Sequence, residues 1–420
     1  MNLLCCGFMQ ELKSFVLENK MPVNIYSFKE LETVGISIGI KYGSVDENPE
    51  INGSAHFLEH MMFKGTSKFT WKEINDQTKA IGAYANATTD REATNYMFQV
   101  HKLYIEKTMQ ILSDMMINSI LPPKEFELER GPIINENLIR EDNPEYLFYD
   151  YMPNLLFKGH PAEMPVGGNN ELTIKKITRE HLFDIYKKYY TPQNMVLTIS
   201  GGISTEKAQK LAEKYFGRYK MAFVSTKRNK FIGSNKHRVM ALEKRDIKQA
   251  KIAIGFSCPS FDNKKIDDYI SMVLLNELLQ YRIYEEVREK RGLSYDPQSV
   301  YTAGETIGMI SAEAGTEPKN VEIVKKIILG EFQKMKDGEF TDTELNRMRT
   351  AIKIRYETLK ERTLDTAVAI STAAVIKNVP NLFNIIPKRI GKITIDDVRK
   401  ASNQNIDCDK YSMVLLKPKT

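Results

Sequence analysis

The chain repeats itself. Ile36-Ser-Ile-Gly-Ile-Lys-Tyr-Gly-Ser44 and Ile252-Ala-Ile-Gly-Phe-Ser-Cys-Pro-Ser260 are both alternating apolar runs, and they begin 216 positions apart. Lys176-Ile-Thr178 opens a helical stretch leading to Met195-Val-Leu-Thr-Ile199. It is echoed by Lys392-Ile-Thr394, which leads to Met413-Val-Leu-Leu416, again with an offset of 216. Two separate echoes at one offset read as a duplicated unit, so whatever one half folds into, the other must fold into as well. The 420 residues give each copy about 200, enough to bury a core of its own. Each copy starts with period-2 apolar runs and continues into helical periodicity, as in Lys265 to Glu289 and Val321 to Lys336. The expected fold is therefore α+β, two duplicated domains, each a largely antiparallel sheet with helices packed on one face. The domains are read as 1–218 and 238–420, joined by a connector at 219–237 rich in Lys, Arg, Asn and Ser.

Composition excludes several classes. Hydrophobic residues make up 42% and charged residues 27% of the chain, an ordinary globular balance. No stretch approaches the roughly 20 uninterrupted apolar residues of a membrane span, and the apolar segment from Ala367 to Ile376 is broken by Ser371 and Thr372. The first residues lack the basic region and long apolar core of a secretion signal, and Met9 is an alternative start. Cys5, Cys6, Cys258 and Cys408 are too dispersed for a disulfide framework and form no Cys-x-x-Cys pair, which fits a reducing, cytoplasmic setting. The net charge of +6 comes from 60 basic residues scattered among 54 acidic ones. No basic block points to nucleic acid or to a membrane surface.

The chemistry is concentrated in Gly53-Ser-Ala-His-Phe-Leu-Glu-His-Met-Met-Phe-Lys-Gly65. Ser54 suits an N-cap, Gly65 suits a helix end, and Phe57, Leu58, Met61 and Met62 can pack inward, so a short helix is predicted. On it His56 and His60, four apart, share one face and can ligate one zinc ion. Glu59 sits beside His60, where its carboxylate can reach a water next to such an ion without being a ligand itself, the position a general base needs. Paired histidines on a helix are more often structural than metal-bound. The glutamate between them, in a chain with only six histidines, shifts the reading toward a site. A catalytic zinc takes a third protein ligand from elsewhere.

The segment resembles the pitrilysin/insulinase family of inverted-motif zinc metallopeptidases, in particular its short, homodimeric processing-peptidase-like members. The resemblance implies that the third ligand is Glu136, 76 residues past His60 in Glu129-Arg-Gly-Pro-Ile-Ile-Asn-Glu136, with Glu129 supporting the site from behind. Pro132 departs from a simple helical reading. It is well accommodated at a first helical position, so the helix carrying Glu136 is expected to start there and leave Glu129 before it.

Between these ligands, Gly82 to Val100 looks like the family's edge strand, and Asn86, Ala87 and Thr88 become candidates for pairing with an extended substrate. Arg288-Glu-Lys-Arg-Gly-Leu-Ser-Tyr295 matches an arginine and a tyrosine that, by the resemblance, reach the active site from the second domain to hold the substrate and its oxyanion. The 216-residue offset carries His56, Glu59, His60 and Glu136 onto Met272, Leu275, Asn276 and Ile352, so only the first copy holds the metal motif. The expectation is a zinc metalloendopeptidase with one Zn²⁺ per chain, peptide substrates, Glu59, Arg288 and Tyr295 as catalytic residues, and a homodimer with shared active sites. The competing reading is a non-catalytic peptide-binding or assembly subunit of the same fold.

Overall fold

Two sheets divide the chain. The computed structural model describes residues 11–223, 227–231, 236–244 and 247–419, without the side chains of 144–148. Cys5, Cys6, the alternative start at Met9 and parts of the connector lie outside the described residues.

The first half contains strands β1 (Lys13–Val16), β2 (Pro22–Ser27), β3 (Thr33–Ile40), β4 (Tyr84–Thr89), β5 (Thr94–His101) and β6 (Met195–Gly201). Its helices are α1 (Ser54–Met61), α2 (Trp71–Ala80), α3 (Ile105–Asn118), α4 (Pro123–Asp142), α5 (Pro144–Leu156), α6 (Arg179–Tyr189) and α7 (Thr205–Phe216). The second half contains β7 (Arg238–Lys244), β8 (Ala250–Cys258), β9 (Gln298–Ala303), β10 (Gly308–Thr316) and β11 (Ser412–Pro418). Its helices are α8 (Ile266–Ile283), which runs into a π-helical turn at Tyr284–Glu289, then α9 (Val321–Lys336), α10 (Asp342–Leu359), α11 (Thr363–Lys377), α12 (Leu382–Arg389) and α13 (Ile395–Asn405).

The sheet orders are β1-β2-β6-β3-β5-β4 and β7-β11-β8-β10-β9. Apart from β1 they are the same order, with one parallel pair in each, β2 with β6 and β7 with β11. The registers repeat too, since Ile36 faces Ile199 and Ile252 faces Leu415. The Lys-Ile-Thr echo has a local cause. Thr178 and Thr394 are N-caps, accepting from the backbone N–H of His181 and Asp397 to start α6 and α13. Each half has its own apolar core between sheet and helices, the first around Ile36, Ile38, Leu58, Met109 and Leu197, the second around Ile252, Ile254, Leu275, Ile328 and Leu415.

The opposite face of each sheet is covered by a helix from the other half. From the first half, α5 lays Met152, Leu155 and Leu156 against Ala253 and Val414 of the second sheet. Its counterpart α11 lies on the first sheet, where Val375 packs with Val196 and Ser371 hydrogen-bonds Asn95. The sheet admits α11 closely because Gly35 and Gly39 face it. A Cβ at Gly35 would lie 2.3 Å from Thr363 O, and one at Gly39 would lie 2.6 Å from Ser371 Oγ. No described helix is long and apolar enough to cross a membrane.

Candidate metal centre

Helix α1 begins one residue earlier than its sequence suggests. Its N-cap is Gly53, held at φ +95° with no side chain to cap with, and Ser54 is its first helical residue. The capping acceptor comes from outside the helix: the buried Glu47 carboxylate accepts from Gly53 N (2.8 Å), Ala55 N (2.6 Å), Asn52 Nδ2 (2.7 Å) and Ser54 Oγ (3.3 Å). Burial pushes its carboxyl up to about 8 although these donors favour the charged form. Its oxygens supply acceptors to the N–H groups that the first turn of a helix leaves without partners. Phe57, Leu58, Met61 and Met62 are buried beneath it, which fixes which way the other face looks.

On that face the Nε2 atoms of His56 and His60 lie 3.2 Å apart, and Glu136 Oε2 lies 3.6 Å from the first and 3.5 Å from the second. Three ligands each about 2.1 Å from a tetrahedral zinc ion are separated by about 3.4 Å, so this triangle matches one face of such a coordination sphere. These are the residues of the chain that bring three potential metal donors within 4.8 Å of one another among the described residues. Two imidazoles and one carboxylate also form a donor set that zinc accepts readily.

Glu129 and Glu136 are brought to the site together, and here the reading of Pro132 is corrected. Helix α4 runs unbroken from Pro123 to Asp142 with Pro132 in its interior. The helical conformation before a proline is normally disfavoured by the preceding Cβ, and Gly131 has none. Glu129 therefore lies on the same helix as Glu136, two turns earlier and on the same face. Its Oε1 is 2.9 Å from His60 Nδ1 and its Oε2 2.5 Å from Lys64 Nζ. With Nδ1 turned to Glu129, Nε2 is the nitrogen that faces the other two donors and would meet a metal.

The charges follow from these contacts. Burial and then the charge of His60 press the His56 imidazole down to about 4. For His60 burial works the same way, but its hydrogen bonds to Glu129 and Glu136 and the charge of Glu59 prevail and lift it to about 9. Glu136 is held below the ordinary carboxylate range by His60. Burial raises Glu129, but His60 and Lys64 outweigh it and bring it below that range. Glu59, only 8% exposed, is raised by burial, opposed by a 2.6 Å hydrogen bond from Thr89 Oγ1 to its Oε2.

Thr89 is the last residue of β4, which forms the edge of its sheet. The pleat turns Ala87 and Thr89 inward toward α1 and leaves Asn86 and Thr88 exposed. Sequence reading singled out Asn86, Ala87 and Thr88 and missed Thr89, although alternation from the inward Ala87 identifies it. Lys64 was missed as well; it lies four residues beyond His60, just past the end of α1. A cleft of about 700 Å³ opens beside the end of β4, lined by Thr88, Thr89 and Arg140 on one side and by Gln298, Val300 and Ser311 of the second sheet on the other.

Arg288 and Tyr295 are not part of this cluster. Arg288 lies in the π-helical turn, donates to Tyr295 O at 2.8 Å, and its guanidinium is 4.5 Å from the Tyr295 ring centre and 4.9 Å from that of Tyr284. Tyr295 is 81% exposed.

Residues 25–169 match the family described as Insulinase (Peptidase family M16), and residues 176–352 match the one described as Peptidase M16 inactive domain. An uncharacterized zinc protease of Rickettsia felis is 28% identical over 396 residues, covering 92% of this chain and 93% of that one. The beta subunit of the mitochondrial-processing peptidase of Caenorhabditis elegans is 38% identical over 194 residues, 46% of this chain and 42% of that one. Among solved structures, a protease from Helicobacter pylori has the same fold, with a TM-score of 0.90 at 23% identity, covering 97% of this chain and all of that one. With both halves matched to the two domains of one family, in the order in which they occur along the chain, the protein belongs to the M16 peptidase family.

Proposed function

We propose that the chain is a zinc-dependent endopeptidase acting on peptides or on unfolded and precursor segments. The observation that carries this reading is the triangle of His56 Nε2, His60 Nε2 and Glu136 Oε2 beside the buried Glu59 carboxylate. Zinc held by these three residues would act as a Lewis acid and make water acidic enough to attack near neutral pH. Glu59 takes the proton of the attacking water and returns it to the leaving amine, with a carboxyl already raised toward such a role by burial. Thr89 fixes the orientation of that carboxylate. The outer edge of β4 offers its backbone to an extended substrate, so main-chain hydrogen bonds hold any sequence and the cleft beyond selects side chains. The cytoplasmic setting read from the sequence belongs to the same proposal.

Glu59→Gln tests the reading directly. Cleavage of a quenched peptide should fall by about a thousandfold, within the range ascribed to a general base, while metal analysis still finds one zinc per chain. An unchanged rate would overturn Glu59 as the base, and a wild type that cleaves no peptide would leave the non-catalytic peptide-binding reading in its place.

The exposure of Tyr295, which packs its ring against the Arg288 guanidinium, supports a homodimer in which each pair serves the other copy. Mixing Glu59→Gln with Tyr295→Phe tests this. If the tyrosine acts across the dimer, half of the randomly mixed dimers regain one of two sites, about a quarter of wild-type turnover. If it acts within its own chain, mixing restores nothing.

A further inference from the structure

The β4–β5 turn, Asp90 to Ala93, meets its own duplicate. Thr89 pairs with Thr94 at the end of one hairpin, and Ala303 with Gly308 at the end of the other. Both four-residue turns are closed the same way, Asp90 N to Ala93 O at 2.9 Å and Gly304 N to Ile307 O at 2.8 Å. From the first turn the buried Glu92 carboxylate crosses into the second. Its Oε2 accepts from Glu305 N at 2.7 Å, and its Oε1 accepts from Thr306 N at 2.6 Å and from the Thr306 hydroxyl. The backbone oxygen of Glu92 is held as well. Arg228, from the connector, donates to it at 2.7 Å while gripping Asp46 with Nε and Nη2 and Glu305 with Nη1.

A buried carboxylate is costly unless its lone pairs find donors. Among the described residues every hydrogen bond to the Glu92 side chain comes from the second half, so the group is satisfied while the two halves are docked. Three residues before it stands Thr89, whose hydroxyl holds Glu59. On its other side the turn is pressed against Gly43, where a Cβ would lie 2.5 Å from the backbone oxygens of Asp90 and Arg91. Enclosed from both directions, the turn can hardly shift without moving the end of β4.

We propose that Glu92 is a positioning residue for Glu59: through it the second domain fixes the end of the edge strand and thereby the hydroxyl that orients the base. The proposal rests on the reading of Glu59 as the general base. It gives the second domain a part in the chemistry that does not depend on Arg288 or Tyr295.

Two variants of the full, zinc-loaded chain test it. Glu92→Gln keeps the shape but sets an amide N–H₂ against backbone N–H donors. Gly304→Ala leaves Glu92 in the sequence and displaces it, because the added Cβ would lie 2.0 Å from Glu92 Oε2. In either variant, the β4 amides bonded to β5 should exchange with deuterium about tenfold faster than in wild type. With a quenched peptide, kcat should fall about tenfold while KM stays within about twofold and zinc content is retained. The double variant should be no slower than the slower single one, since both act on one contact. Unchanged exchange in β4, or an unchanged kcat in folded, zinc-loaded Gly304→Ala, overturns the proposal. So does a loss that appears only in KM. Should the wild type cleave no peptide at all, the peptidase reading fails by itself, and the exchange measurement still decides whether Glu92 holds β4.

Discussion

Glu129 and Glu136 are the same residue type, two turns apart on one helix, yet they are placed for different tasks. Glu136 offers its oxygen to both imidazoles, whereas Glu129 bonds the far nitrogen of His60 and is itself tied to Lys64. Replacing Glu129 by Ala should leave all three metal donors in the chain but free the His60 ring, weakening zinc binding by about 10- to 100-fold. Competition with a chromophoric chelator measures this, and affinity equal to wild type would show that Glu129 is only a charge on the helix. Removing the Thr89 hydroxyl with Thr89→Val should do the opposite, lowering kcat by about tenfold with zinc affinity unchanged, because it releases the base rather than a ligand. Much of this was legible at residue level. A four-residue spacing on a helix puts His56 and His60 together whatever surrounds it, and that geometry is local. Thr89 and Lys64 are legible only once the pleat of β4 and the packing of α1 on α4 are known, because their partners, Glu59 and Glu129, lie 30 and 65 positions away in sequence.

At the level of the element, α4 shows why a local rule can mislead. Proline within a helix removes one N–H and crowds the preceding turn, at a cost of about 3 kcal/mol, so starting the helix at Pro132 was the natural reading. The residue before it settles the matter, since Gly131 lets the backbone stay helical ahead of the ring. The pair should therefore behave as a unit. Pro132→Ala should stabilise the protein by about 1 kcal/mol or more, since it restores a helical hydrogen bond. Gly131→Ala, which in an ordinary helix would stabilise by up to about 1 kcal/mol, should destabilise as long as Pro132 follows and should stabilise once Pro132 has been replaced. Denaturant melts of the two single variants and the double variant give the coupling directly, and simple additivity would contradict this account of α4. The capped helices α6 and α13 are the contrasting case. Threonine at the start and an acceptor three residues later are visible in the sequence, and both helices begin where that signal puts them.

Over the whole molecule, the duplication was legible in the 216-residue offset, but the strand order and the exchange of α5 and α11 between the halves were not. A helix that packs on the sheet of the other half carries no periodicity that names its target, and glycines such as Gly35 look like generic strand irregularities until the opposing backbone is in place. That exchange makes the two halves one cooperative unit, because unfolding either exposes an apolar face of both. Calorimetry of the wild type should therefore give a single transition, with van't Hoff and calorimetric enthalpies in agreement. Gly35→Val tests where that cooperativity resides. Its Cβ would meet Thr363 O at 2.3 Å and Leu364 Cα at 2.6 Å, both backbone atoms that cannot rotate away, so α11 must shift off the first sheet. The expected outcome is a loss of about 3 kcal/mol and a transition that broadens or splits as the halves part. Gly330→Ala is the control, since a Cβ there meets nothing within 4 Å inside α9, and the helix should gain up to about 1 kcal/mol. If Gly35→Val melts in one step at the wild-type temperature, the packing of α11 on the first sheet does not bind the halves together. Cooperativity would then have to reside in the packing of α5 on the second sheet and in the Glu92 and Arg228 contacts.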